Sequence, residues 1–395
     1  MVGKNKTLNQ KMTKRSKSRR EFVEKISTAA LSVPFLTSAL SSCSNFEKKN
    51  LKILILGGTS FLGPHQISYA ISRGHSVSIF TRGKTQPTVH KDVFSKVEQL
   101  IGDRENDLSE LENRSWDVVI DNSGQKSEWT KKTATMLREK AETYLYISST
   151  GVYFPYLKDN IKENQTVLMD EPKDIEDSVY KLSYRYGVMK AKSEQEVVNA
   201  FGKQRSIIVR PTYMFGPGDK TDRFTHWPLR LSRGGEVLVP GKKDDLVQYI
   251  DVRDVAEWCI RLIENNSFGT YNAVGPTNRT TMRDFIDVAK KSFDVNHELI
   301  YIDDYDFLTE NNLFYLVPWI MTDEKHFGSA RISNIKAINN GLTFRNLNTS
   351  VKEVYNWWNS DSITQERRDL LEKNQRSVLL REKEIIEKWK SIRAL

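Results

Sequence analysis

Apolar residues along this chain are arranged in two alternating patterns. Short, mostly apolar runs recur at Leu51–Leu56, Ser76–Phe80, Val97–Ile101, Trp116–Ile120, Thr143–Ser149 and Ile207–Arg210, and they read as strands of a buried sheet. Between them, Phe61–Arg73, Gln125–Lys140 and the stretch around Tyr184–Lys190 repeat their apolar residues at helical spacing, with Gly74 as a helix stop. Strands alternating with helices predict an α/β fold built on a doubly wound parallel sheet. Beyond Pro211 the pattern continues with a strand and helix at Gln248–Val255, an amphipathic helix in MRDFIDVAKKSF, a strand in ELIYID and a helix over Ser350–Trp358. Residues 364–393 mix charges with Leu and Ile at helical spacing, which predicts a solvated helix against the body. The expected division is an α/β domain over 51–211, a smaller α/β lobe over 212–360 and a C-terminal helix over 361–395. Residues 246–265 are expected to return to the main sheet as strand and helix.

The first strand runs into Gly57-Gly58-Thr59-Ser60-Phe61-Leu62-Gly63. A strand, a tight glycine turn and a helix start let backbone approach a pyrophosphate, with helix amide groups aimed at the anion. Gly57 and Gly63 suit that need, with Thr59, Ser60, Phe61 and Leu62 forming the cradle. Ser60 stands where the strict pattern has glycine, and its hydroxyl can donate to a phosphate oxygen. The second strand ends in Phe80-Thr81-Arg82-Gly83-Lys84 with no acid to hold a ribose 2′-hydroxyl, so Arg82 favours NADP over NAD. A solvated basic turn is the plain alternative. Asn122 stands at the carboxyl end of the fourth strand, where ligands of open α/β sheets gather. Asp103, after the third strand, is placed to hold an adenine amino group or else is a surface acid.

The chemistry is expected after the fifth strand. Ser148-Ser149-Thr150-Gly151 is a hydroxyl-rich strand end, and Tyr186 and Lys190 stand four apart on a helix, hence on one face. A lysine beside a phenol favours phenolate, and a nearby serine can hold a substrate oxygen, a set suited to interconverting alcohol and ketone beside a nicotinamide. In this order the motifs resemble the extended short-chain dehydrogenase/reductases, the NAD-dependent epimerase/dehydratase family, over Leu51 to about Pro276. GGTSFLG and FTRGKT are similar to an atypical branch. The resemblance implies a Rossmann domain, NAD or NADP as cofactor, and Ser149, Tyr186 and Lys190 as catalytic residues, with Thr150 as substitute hydroxyl and Tyr186 and Lys190 also at the cofactor. It further implies a homodimer through the helices at Gln125–Lys140 and around Tyr186.

Thr221–Pro228 brings Arg223, His226 and Trp227 together in one expected loop, a combination suited to stacking on and hydrogen bonding a sugar ring. A surface loop over a core Trp is the alternative. No His or Cys lies at metal-ligand spacing, so no metal is expected, and Cys259 reads as a core residue.

Charge then alters the picture at one end. The 395-residue chain carries a net +9, but nine basic and two acidic residues fall within positions 1–25, leaving the remainder near balance. After this basic stretch, Ile26–Ser42 is uncharged and moderately apolar, Ser18-Arg19-Arg20-Glu21-Phe22-Val23 resembles a twin-arginine export signal, and Leu40-Ser41-Ser42-Cys43 resembles a lipoprotein cleavage box. The expectation is a signal peptide over 1–43, a linker over 44–50, and a periplasmic protein anchored to the membrane by lipid on Cys43, with no nucleic-acid partner. The function expected is a redox-neutral epimerase or dehydratase acting on a sugar or glycoside with tightly held nucleotide. Two alternatives stand beside it: a non-catalytic dinucleotide-binding or regulatory protein, and a cytoplasmic NADP-dependent reductase with a merely basic tail.

Overall fold

The computed structural model describes residues 50–321 and 326–394. The leader, with Cys43, lies outside the described residues. Seven strands form the main sheet: β1 (Lys52–Leu56), β2 (Ser76–Thr81), β3 (Glu98–Ile101), β4 (Trp116–Asp121), β5 (Ala141–Ile147), β6 (Ser206–Pro211) and β7 (Gly269–Ala273). Their spatial order is β7-β6-β5-β4-β1-β2-β3, every neighbouring pair parallel. The order reverses between β1 and β4, which opens a crevice at their carboxyl ends. Ile53, Leu54, Ile55 and Leu56 of the central strand are fully buried, as expected of a strand covered on both faces.

Helix α1 (Leu62–Ser72) packs with Val252–Glu264 on one face of the sheet, while α2 (Ser127–Leu137) and α3 (Ser178–Phe201) pack together on the other. Asp177 caps α3 by accepting from the amides of Val179 and Tyr180 at 2.8 and 2.9 Å.

The strand Leu246–Asp251 does not join the main sheet. It pairs with Met214–Phe215 and Gly275–Thr281 in a three-stranded sheet, and only the helix that follows it returns to the main sheet, beside α1. Cys259 lies in that helix, fully buried, its thiol pushed up to about 12 by burial, in keeping with a core role. The main sheet takes β7 instead, so it draws its seventh strand from beyond residue 211. The five-residue β7 ends in Asn272-Ala273, with no long apolar run to announce it.

The second core gathers Phe215, Phe224, Trp227, Phe285, Trp319 and the inner face of Val378–Arg393. The C-terminal stretch is two helices, Gln365–Glu372 and Val378–Arg393, rather than one. The second inserts Ile385, Ile386 and Trp389 into this core, and buried Glu382 pairs with Arg230 and accepts from the Leu238 amide at 2.9 Å. Among the described residues no helix is long and apolar enough to cross a membrane.

Candidate active site

The glycine turn lies at the end of β1, facing the crevice. Gly57 has φ +83°, and a Cβ there would stand 2.7 Å from that of Ser123, so only glycine fits. A Cβ on Gly63 would enter the carbonyl of Gly58, which is how closely α1 lies on the turn. Phe61 adopts φ +43° before the helix, a strained conformation of the sort that gathers at ligand sites. No side chain caps α1 and no acid stands in its first turn, so its amino end is open to an anion. Ser60 is exposed, Thr59 is half-buried and Leu62 is buried. This cradle fits a dinucleotide pyrophosphate.

Around it stand the other residues expected at a cofactor. Arg82 and Lys84 are exposed beyond β2, with no ion-pair partner among the described residues. Asp103 is half-buried in a turn closed by paired backbone bonds with Asp107 at 2.9 and 2.8 Å. Asn122 donates its amide to Gln66 of α1 at 2.7 Å.

The hydroxyl cluster forms at the end of β5. Ser149 accepts from the Gly151 amide at 3.0 Å, and the Tyr186 ring lies on the same turn, where a Cβ on Gly151 would stand 2.9 Å from that ring and 3.3 Å from Ser149 Oγ. Gly187 makes that meeting possible: a Cβ there would come within 2.5 Å of the Gly151 carbonyl, so α3 lies directly on the strand-end turn. Thr150 is buried beneath, its hydroxyl donating to the Pro211 carbonyl at 3.4 Å.

Tyr186 and Lys190 are not coupled as expected. Lys190 is 8% exposed, donates to the Ile147 carbonyl at 3.0 Å and lies 4.9 Å from the centre of the Tyr146 ring. Burial pulls its ammonium down to about 8, while Asp121 and Glu194 act to raise it. The Tyr186 phenol is raised rather than lowered, because loss of water outweighs the opposing effects of Ser149 and a cation, and that cation is Arg223. Tyr186 is nonetheless 45% exposed overall, so its ring edge is open to a ligand.

Of the three residues expected around a sugar ring, only Arg223 is near. It donates to the Tyr315 hydroxyl at 2.9 Å and lies 5.6 Å from the centre of the Tyr213 ring. His226 and Trp227 begin the helix His226–Ser232 rather than completing a loop, and both are buried. Trp227 donates to the Val317 carbonyl at 2.8 Å, and burial drives the His226 imidazole down to about 3. They are core residues, since the helix turns them away from solvent.

Tyr156, Tyr213 and Tyr315, not expected from sequence, ring the mouth with Tyr186; the phenols of Tyr156, Tyr186 and Tyr213 are raised by burial. They come from three separated segments, and nothing in their local spacing joins them. Arg104 was also missed. Its signal was indirect: Asp121 ends an apolar strand, and a buried carboxylate demands a counter-charge. Among the described residues no group of three His, Cys, Asp or Glu is arranged for a metal.

The loop carrying Pro217 and Gly218 also reaches the cradle. His65 of α1 donates through Nε2 to the Pro217 carbonyl at 2.8 Å, so its Nδ1 accepts from His90 at 2.9 Å. Gly218, next in that loop, would bring a Cβ within 3.9 Å of Phe61.

A doubly wound parallel sheet, with a glycine turn at its switch point and a Ser–Tyr pair at the adjoining strand end, defines a dinucleotide-binding protein of the Rossmann type. The chain belongs to the NAD dependent epimerase/dehydratase family, which it matches over residues 53–274. Solved structures with the same fold include the enzyme WbmH of Bordetella bronchiseptica in complex with NAD+, at 13% identity over 79% of this chain and 99% of that one, TM-score 0.55. UDP-N-acetylglucosamine 4-epimerase of Bacillus cereus is similar at 17% identity over 78% of this chain and all of the other, TM-score 0.55. Among curated proteins, the Arabidopsis thaliana chloroplast stem-loop binding protein of 41 kDa b is 32% identical over 240 residues, 58% of each chain. The chain thus spans little more than half the length of that relative.

Proposed function

We propose that the protein interconverts an alcohol and a ketone on a sugar or glycoside, in a redox-neutral epimerisation or dehydration with the nucleotide tightly held. The observation that carries this is the meeting of Tyr186 and Ser149 at the strand end beside the glycine cradle, where a Cβ on Gly151 would stand 2.9 Å from the tyrosine ring and 3.3 Å from the serine Oγ. A bound nicotinamide would accept hydride from the substrate carbon and return it. Gly57–Gly63 would hold its pyrophosphate, Asp103 its adenine, and Arg82 a 2′-phosphate in NADP. Ser149 positions the substrate oxygen by hydrogen bonding, and Tyr186 takes and returns its proton. Arg223 favours the phenolate and, with the tyrosines of the mouth, contacts the sugar. Lys190 keeps a positive charge beneath the reacting end of the cleft. The solved epimerases whose names include UDP-sugars support a carbohydrate substrate.

The leader favours a tightly held nucleotide: an enzyme exported by the twin-arginine route would meet no pool of reducible nicotinamide, and that route carries folded protein with cofactor in place. A free sugar, glycoside or glycan end then suits better than a nucleotide sugar. Purified processed protein is expected to carry a nucleotide that is released on denaturation, and lipid labelling is expected at Cys43. Empty protein that turns over freely with added NADP would overturn the closed hydride cycle.

A second reading, a non-catalytic dinucleotide-binding protein that binds a nucleic-acid stem-loop, draws on the name of the Arabidopsis relative. Tyr186→Phe separates the two. Loss of turnover by a factor of about 100 or more with nucleotide retained indicates catalysis; unchanged function indicates binding alone.

A further inference from the structure

Arg104 is 6% exposed and follows Asp103 in the turn after β3. It reaches across to the end of β4 and holds Asp121 through two parallel bonds of 2.5 and 2.8 Å. The same guanidinium donates to Thr133 of α2 at 2.6 Å and to Ser123 at 3.2 Å. Asp121 is completely buried and is further held by the Tyr144 hydroxyl at 2.8 Å and the Ser123 amide at 3.0 Å. Ser123 in turn stands against Gly57.

One side chain therefore joins three strand ends along the crevice. These are the turn bearing Asp103, the β4 end bearing Asn122 and Ser123, and, through Ser123, the glycine turn of β1. Replacing so deeply buried an ion pair by apolar residues of like volume is often neutral or stabilising, so its presence is weak evidence of a role in stability. Its planar fork does fix the relative position of the segments it joins.

We infer that Arg104 is a positioning residue for the adenosine-pyrophosphate half of the dinucleotide, holding the Asp103 turn in register with the phosphate cradle. The inference rests on the cofactor reading given above. It assigns the precision of the adenine end to a residue that touches no ligand, and leaves the nicotinamide end to the β5 and α3 residues.

The test compares binding of NAD, ADP-ribose and nicotinamide mononucleotide to wild type and Arg104→Gln by calorimetry and ligand-observed NMR, after removal of any bound nucleotide. Arg104→Gln is expected to weaken NAD and ADP-ribose by at least about tenfold, as displaced positioning groups do, and to leave nicotinamide mononucleotide unchanged. If the single variant fails to fold, the double variant Arg104→Gln with Asp121→Asn sets two neutral amides in place of the ions and is expected to show the same selective loss. Equal weakening of all three ligands overturns the inference, as does unchanged ADP-ribose affinity. Wild type that binds neither NAD nor NADP overturns the cofactor reading and this inference together, whereas tight wild-type binding with an indifferent variant overturns this inference alone.

Discussion

Lys190 shows at the scale of one residue how function sets a cost against stability. Its ammonium is buried, and its pKa falls to about 8 from an ordinary 10.5. Below pH 8 it is charged in folded and unfolded chain alike and burial bears its full cost. Between 8 and 10.5 the unfolded chain binds the extra proton, so stability rises with pH; above that range the cost is gone. Lys190→Met should therefore raise Tm by a few degrees at pH 7, lose this advantage as pH nears 10.5, and abolish turnover; scanning calorimetry across pH checks it. The Tyr–Lys spacing was legible in sequence, because four residues on a helix fix a common face. Which cation acts on the phenol was not, since Arg223 arrives from another segment.

Two elements meet at the cradle. Helix α1 lies so close to the turn that Gly63→Ala would force backbone apart; a loss of about 1–3 kcal/mol is expected, with weakened nucleotide binding, read by chemical denaturation and calorimetry. The same helix holds the Pro217 loop through His65, whose imidazole is drawn down to about 4 by burial. A histidine with its pKa lowered takes up a proton more readily when unfolded, so stability is lost as pH falls from 6.5 towards 4. His90 and His226 shift in the same direction, so His65→Gln should reduce this acid sensitivity without removing it, as Tm measured from pH 7 to 4 would show.

For the whole molecule, the C-terminal helix is part of the second core. Ile385, Ile386 and Trp389 are almost wholly buried. Deleting residues 378–395 uncovers the apolar surface they cover, roughly 5 kcal/mol at about 1.5–3 kcal/mol for each side chain, against a total stability of similar size. The truncated protein is expected to bind a hydrophobic dye and to lose its cooperative unfolding transition. Leu and Ile at helical spacing among the charges predict a solvated helix lying against the body. Its apolar face is real, but spacing within one helix does not say how deep a groove awaits it.

What the sequence determined by itself is whatever depends on neighbours along the chain. The strands β1 to β6, the glycine turn and the Tyr186–Lys190 face follow from local sterics, periodicity and side-chain chemistry, and those rules act over a few residues. The tertiary structure decided what depends on pairing across distance. It chose Gly269–Ala273 as the seventh strand over Leu246–Asp251, sent Trp227 to the core and Arg223 to the mouth, assembled the tyrosine ring, and set Arg104 against Asp121. Burial and electrostatic partnership are properties of a place in the fold, and residues far apart in sequence acquire them only when the chain has closed.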